Sequence, residues 1–450
     1  MRETAQLAEF AVEMKSADVP AEVRRRASML VLDLIGCQIA GIQMPWSKRI
    51  HDSIAPLTAP GGASVVQYRD QLAPDGAAFI NSAFAHSNES DDTHLKTPTH
   101  PGAVIIPAAM AVAESLDLDG QALLDAVIVG YEVMLRVSYS VSPHLITRGH
   151  HPPPAVGPFG AAAAASRLMG LNVDETLNAM AIGGSHSAGL QEYTQTGGSV
   201  KRLHCAIPAQ AGVRSALLAR NGVTGPPTVL EGERGFTKVF SPERNLDWLT
   251  RGLGSEWILM ETAIKGYSCC HLIHPALDSI VGMRSTTEFD GSDVESIEVH
   301  TTSAALVAHV GVIVEPQDIL GAQFSMGYSL ALMLYKGGCG FWDFFNADLA
   351  DPDMLGLSRR TSIILDGDDR GRFATGLVIK VKLKDGTVLE ANAPHAHGEP
   401  EWPLTDGEIR DKFLNIAGPV LGPDAKNIAE SIENIAEQPQ VSHIARMLAG

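Results

Sequence analysis

Residues Gly120 to Ser140, GQALLDAVIVGYEVMLRVSYS, are apolar nearly all the way round when wound as a helix. A helix with no face to offer water belongs inside a bundle of other helices. Its one polar line, Glu132, Arg136 and Tyr139, falls at i, i+4 and i+7 and so shares a face. A buried ion pair beside a satisfied tyrosine explains that line as well as a stripe facing a site. Other segments supply partners for the bundle. Pro20 to Ile39 (PAEVRRRASMLVLDLIGCQI) starts with proline at a plausible first helical position and repeats apolar residues at three and four. GPFGAAAAASRLMGL reads as a small-residue helix suited to close packing, and CAIPAQAGVRSALLARNG as another that closes at Gly222. Between them, RGHHPPP (Arg148 to Pro154) is expected to be an ordered loop, because its prolines cannot continue a helix. His150 and His151 sit at that turn, where a structural role for at least one is the default.

From about Trp257 the texture changes. Val294 to Thr301 (VESIEVHT) alternates as a strand does, and LVIKVKLKDGTVLEANA alternates on both sides of an Asp-Gly, a hairpin signal. After Pro403 the pattern TDGEIRDKFLNIAG is helical again. The expected fold is mainly α: a large all-helical domain from residues 1–260 plus 401–450, with an inserted smaller α+β lid domain at 261–400.

The chain of 450 residues carries 34 Lys and Arg against 52 Asp and Glu, a formal net charge of −18. Nucleic acid and anionic membrane surfaces need a basic footprint and are therefore not expected as partners. An acidic small molecule is still a reasonable partner, provided a few cations gather in one pocket. The five cysteines form no CxxC pair and no zinc-ligand spacing, which suits reduced thiols. The N-terminal stretch lacks the basic start and apolar core of a signal peptide, and no apolar run is long enough to span a bilayer. A cytoplasmic protein is expected.

The polar run SNESDDTHLKTPTH, between two Ala-rich apolar segments, gathers Glu89, Asp91, Asp92, Thr93, His94, Lys96, Thr97, Thr99 and His100. Such a cluster reads as a site rather than a solvated loop. Asp91, Asp92, His94 and His100 could in principle ligate a metal, but their spacing matches no standard site, and no metal ligand is assigned. Further on, a Gly-Gly-Ser turn delivers Lys201 and Arg202 to a helix start, a potential anion cradle, though both could simply be exposed. GGSHSAG is not a nucleophile elbow, and the lone GLG at Gly252 is too weak a signal for a dinucleotide. Lys265, Cys269, Cys270, His271 and His274 fall within ten residues of IKGYSCCHLIHPALDSI.

Taken together and in order, SNESDDTHLKTPTHPGAVIIPAAMAVAE, RGHHPPPAVGPFGAAAAA, GGSVKRLHCAIPAQAGVRSALLA, VLEGERGF and IKGYSCCHLIHPALDSI resemble the MmgE/PrpD family. That family includes 2-methylcitrate dehydratases, cis-aconitate decarboxylases and iminodisuccinate epimerases. The resemblance implies a helical domain with a smaller α+β lid, a homodimer, an active site in the cleft between domains, and neither metal nor organic cofactor. It carries the working positions of the family's lyases onto Glu89, Thr93, His100, Lys201, Lys265 and the Cys270-His271 position. Three departures stand out. Glu89 replaces an Asp, the spacer from Asp92 to His100 is one residue longer, and Cys270 stands where the lyases have His, with His271 alongside.

Removing a proton next to a carboxylate builds an enediolate-like anion, so cations must already face that carboxylate. Lys201, Arg202, Lys265 and His100 can supply them. Because the departures fall on the leaving-group side, the chain resembles the epimerase branch most. The expected activity is cofactor-independent epimerisation of an aminopolycarboxylate of the iminodisuccinate type, by two-base proton transfer. A methylcitrate-type dehydratase or a cis-aconitate-type decarboxylase is the alternative. Proton transfer is assigned to Lys265, with His100, Tyr139 and His271 as candidates for the opposite face. Substrate binding is assigned to Glu89, Asp92, Thr93, Lys201, Arg202, His151 and Cys270.

Overall fold

The computed structural model describes residues 2–367 and 376–450, and the side chains of all of these except 195 and 196. It is mainly helical. The chain divides into two compact units: Met1–Ser87 with Asp91–Thr262 and Asp406–Gly450, and Asn88–Ser90 with Ala263–Thr405.

In the larger unit the all-round apolar segment is the helix Gly120–Val141. The Asp119 side chain caps it by accepting from the Ala122 N–H at 2.8 Å. It packs on the helix Pro152–Leu168, where small residues let the backbones approach. A Cβ on Gly160 would stand 2.6 Å from the Gly130 carbonyl oxygen, so any larger residue would force the two helices apart. The prolines of RGHHPPP are not a loop. They form the first turn of that helix, with His151 as the residue before it. Proline fits there because its φ is already helical and the first-turn N–H groups have no partner inside the helix. The helices Pro74–Ala85, Pro101–Ser115 and Leu203–Arg220 complete the part of the bundle that carries the histidines discussed below. Ala21–Gly41 lies against Asp406–Leu421, so the two ends of the chain meet within this unit. A short antiparallel pair, β1 (Pro60–Ser64) and β2 (Gln71–Leu72), interrupts the helical pattern. Among the described residues no single helix is long and apolar enough to cross a membrane.

The smaller unit is built on a four-stranded sheet of β3 (Val294–Thr301), β4 (Thr361–Leu365), β5 (Leu377–Leu383) and β6 (Val388–Ala393), in the order β4-β3-β5-β6. The hairpin foreseen from Asp385-Gly386 is β5 to β6, and Gly386 takes φ +92°, which only glycine adopts without strain. β3 pairs parallel with β4 through a helical crossover. The alternate residues Leu377, Ile379, Val381 and Leu383 of β5 turn inward, where Leu277, Ile280, Leu330 and Leu334 share one apolar cluster with them.

Candidate functional site

The polar run splits at the first step. Glu89 is counted with the smaller unit, Asp91 to His100 with the larger, so each half is built separately.

In the larger unit the helix Pro74–Ala85 ends just before His86, and Pro101–Ser115 begins just after His100. The intervening chain places their imidazoles with ring centres 4.8 Å apart. His86 donates its Nδ1–H to Asp91 Oδ2 at 2.8 Å, and His100 donates its Nδ1–H to the Asp92 carbonyl at 2.8 Å. His151 joins them, its ring centre 6.1 Å from His86 and 6.2 Å from His100. Its Nδ1 shares a hydrogen bond with Nδ1 of His204 at 2.9 Å. Burial, and then the neighbouring His204, His86, His100 and Lys201, hold His151 well below the ordinary histidine range. Burial, His86 and Lys201 take His204 down to about 4. Both are therefore neutral imidazoles at neutral pH.

Lys201 and Arg202 lie in a short turn running into the helix Leu203–Arg220 and are 3% and 0% exposed, so the reading that leaves them on the surface fails. Arg202 places its guanidinium 4.9 Å from the centre of the Trp46 ring and donates to the His86 carbonyl at 3.0 Å. That contact fixes the backbone of the histidine loop. Asp92 also faces inward. It accepts from Tyr131 Oη at 2.8 Å and from the Gly102 N–H at 3.0 Å, at the start of the helix that follows His100. Burial pushes its carboxyl up to about 7, against the Tyr131 hydrogen bond. This geometry makes Asp92 a strut under His100. Thr93 is buried in the same tight loop, which closes through paired backbone hydrogen bonds between His94 and Thr99.

Tyr139 belongs to another constellation. It stacks on Trp248 with ring centres 4.1 Å apart and donates its hydroxyl to Glu261 at 2.5 Å. Lys96 donates to the same carboxylate at 3.0 Å, and His94 Nε2 lies 3.5 Å from it. Burial alone would raise Glu261, but the His94, Tyr139 and Lys96 hydrogen bonds draw it down to about 2. Burial and Glu261 push the Tyr139 phenol up in turn. Further back along the same helix, Glu132 pairs with Arg136 at 3.2 Å and accepts the Leu259 N–H at 2.9 Å. Arg136 also donates to the carbonyls of Arg251 and Glu256. Glu132 and Arg136 are thus a buried ion pair, each also tied to backbone groups.

In the smaller unit Lys265 is 2% exposed. Its ammonium donates to the Glu89 carbonyl at 3.0 Å and stands 3.6 Å from the Glu89 carboxylate. Glu89 has φ +58°, a left-handed backbone that costs a residue other than glycine. Ser90 and Ser268 hydrogen-bond at 2.6 Å, and Gln323 Nε2 donates to both the Asn88 and Ser268 carbonyls at 2.8 Å, tying the Glu89 segment down. Cys270 donates its N–H to the Gln323 carbonyl at 2.9 Å. His271 shares a 3.0 Å hydrogen bond with Glu399, which also meets His395 at 3.1 Å. A cavity of about 510 Å³ in this unit is lined by Asp278, Met283, His395 and Trp402 and by none of the residues foreseen from sequence.

The structure therefore brings His100, His151, Asp92, Lys201 and Arg202 into one unit, and Lys265 with Glu89, Cys270 and His271 into the other. His86, Asp91 and His204 were missing from the assigned site. Their signal was present in the sequence, as a histidine five residues before Asp91 and another three after Lys201, but nothing local joins them to His151.

A family model of the MmgE/PrpD N-terminal domain matches residues 5–249, and one of the MmgE/PrpD C-terminal domain matches residues 267–438. A cis-aconitate decarboxylase-like protein of Aspergillus oryzae is 30% identical, covering 99% of this chain and 97% of the relative. A cis-aconitate decarboxylase of Aspergillus terreus is 28% identical over 99% of the chain and 95% of its own length. A 2-methylcitrate dehydratase of Cupriavidus necator is 24% identical over 80% of the chain and 78% of its own length.

Proposed function

We propose that this chain, which belongs to the MmgE/PrpD family, is a lyase that decarboxylates a small unsaturated tricarboxylate of the cis-aconitate type. The observation that carries the proposal is His100, held by its Nδ1–H on the Asp92 carbonyl beside two further buried imidazoles. The decarboxylase relatives, aligned over nearly the whole chain, support it and move the expectation away from the epimerase.

The bond balance gives the residues their roles. Loss of CO₂ from the saturated arm leaves the C–C pair as a new double bond. The old π pair then moves onto the carbon next to another carboxylate, where one proton must arrive. A histidine anchored through one ring nitrogen can deliver that proton from the other. Lys201, in the same unit as His100, supplies positive charge that lowers the energy of the anion formed on the way. Dehydration of 2-methylcitrate is the second reading. It is favoured by the dehydratase relatives and by the same need for an anion next to a carboxylate. A homodimer is part of the same proposal and is checked by sedimentation.

The test is proton NMR of the purified full chain in D₂O with cis-aconitate, 2-methylcitrate and iminodisuccinate in separate samples. The expected result is CO₂ release from cis-aconitate with one deuteron entering the product. Alkene formation from 2-methylcitrate without CO₂ loss would select the dehydratase. Deuterium entering iminodisuccinate, with no alkene and no CO₂, would restore the epimerase.

A further inference from the structure

One ring nitrogen of each of His86, His100 and His151 lies within 4.8 Å of those of the other two. This is not the ligand set weighed from sequence, since His94 is turned to Thr97 and Glu261. An ion bonded tetrahedrally to nitrogen at about 2.0–2.1 Å sets its ligand atoms about 3.4 Å apart, so no pair has to close by more than about 1.5 Å, within reach of side-chain rotations.

Each imidazole already has the outer support that metal-binding histidines need. His86 is held by the Asp91 carboxylate at 2.8 Å, His100 by the Asp92 carbonyl at 2.8 Å, and His151 by His204 at 2.9 Å. Asp91 is 0% exposed, and its Oδ2 stands 3.4 Å from His100 Nδ1 as well, so one buried carboxyl group sits against two of the three rings. Against these stand the cations. Lys201 is close enough to act on His151, and Arg202 bonds to the His86 carbonyl. They weaken the site relative to a dedicated structural zinc site. An all-imidazole set selects zinc, cobalt, nickel or copper over magnesium and calcium, which prefer oxygen.

We propose that His86, His100 and His151 bind one divalent transition-metal ion of the zinc type, and that the bound ion stops proton transfer through His100. The first clause is independent of the lyase reading, and the second rests on it.

The experiment uses the full chain, stripped with a chelator and titrated with Co²⁺ and then Zn²⁺. Expected is one equivalent of Co²⁺ with the visible band of a nitrogen-rich four-coordinate site, no thiolate charge-transfer band, and displacement by Zn²⁺. Zn²⁺ affinity falls about tenfold or more in His86→Gln and in His151→Gln, and ~10–100-fold in Asp91→Asn. The other group with ligand geometry, His395, Glu399 and Glu401 in the smaller unit, supplies the control. A His395→Gln/Glu401→Gln double variant keeps the signal. Unchanged affinity in both histidine variants, a thiolate band, or loss of the signal in the control overturns the site. If the histidine variants fail to fold, the wild-type spectrum and the control still decide. Zn²⁺ that binds without slowing turnover overturns the second clause alone. Absence of turnover on every acid, with cobalt bound as described, fails the lyase reading and leaves the metal site standing.

Discussion

Two buried polar constellations of the larger unit, around Glu261 and around His100, differ in where their protons sit. Around Glu261 the carboxyl is drawn down to about 2 while the Tyr139 phenol is pushed up, so at neutral pH the acid stays ionised and the phenol stays protonated. Glu132 and Arg136 are likewise closed by each other and by backbone groups. In the histidine cluster, burial instead keeps His151 and His204 as neutral imidazoles beside His86 and His100. Burial is common to both. What separates them is that hydrogen bonds pin a carboxylate and a phenol in the first, whereas the second gathers ring nitrogens of His86, His100 and His151 within 4.8 Å of one another.

Four measurements would break or sharpen that contrast. The largest effect is expected at His100. His100→Gln should lower kcat for CO₂ release by ~10²–10⁴ with the far-UV circular dichroism unchanged, and a loss of only a few-fold would remove the histidine cluster from the chemistry. Next comes Arg136→Ala, which strands Glu132, whose carboxyl burial already pushes up to about 7. Urea unfolding should show a loss of about 3–5 kcal/mol. Tyr139→Phe should cost about 1.5 kcal/mol in the same assay, for one hydrogen bond to a charged group, with kcat kept within a few-fold. A collapse of kcat there would show that the Glu261 constellation is chemical after all. The smallest effect is a pH dependence. Glu261 has its folded-state carboxyl well below the ordinary 4.5, so its stabilisation is complete above 4.5 and is lost as the pH falls toward 2. Thermal melts across that window should show a steeper acid loss in the wild type than in Tyr139→Phe, where one of the bonds lowering Glu261 is gone.

Much of the fold was legible because its signals are local. The all-round apolar pattern of Gly120–Val141, the alternation of β3 and the Asp385-Gly386 turn each depend on neighbours a few residues away. The proline-rich turn misled for an equally local reason. Proline stops a helix that reaches it but suits one that begins on it, and the sequence does not say which side the helix lies on.

The site was only partly legible. Lys265 and Glu89 were both named, yet their 3.0 Å contact joins positions 176 residues apart. Tyr139 shares a helix face with Arg136, as its spacing required, but that face meets Glu261. The sequence by itself determined which segments would be helix and strand, because periodicity is a property of the backbone near each residue. It also determined that the polar run from Glu89 to His100 would be held between buried segments. Only the tertiary structure decided which polar groups share a cluster. The bond from His151 to His204 and the stacking of His86 beside His151 join segments that are remote in the chain. Such meetings are fixed by how the helices pack, and packing is set by the sum of many side chains.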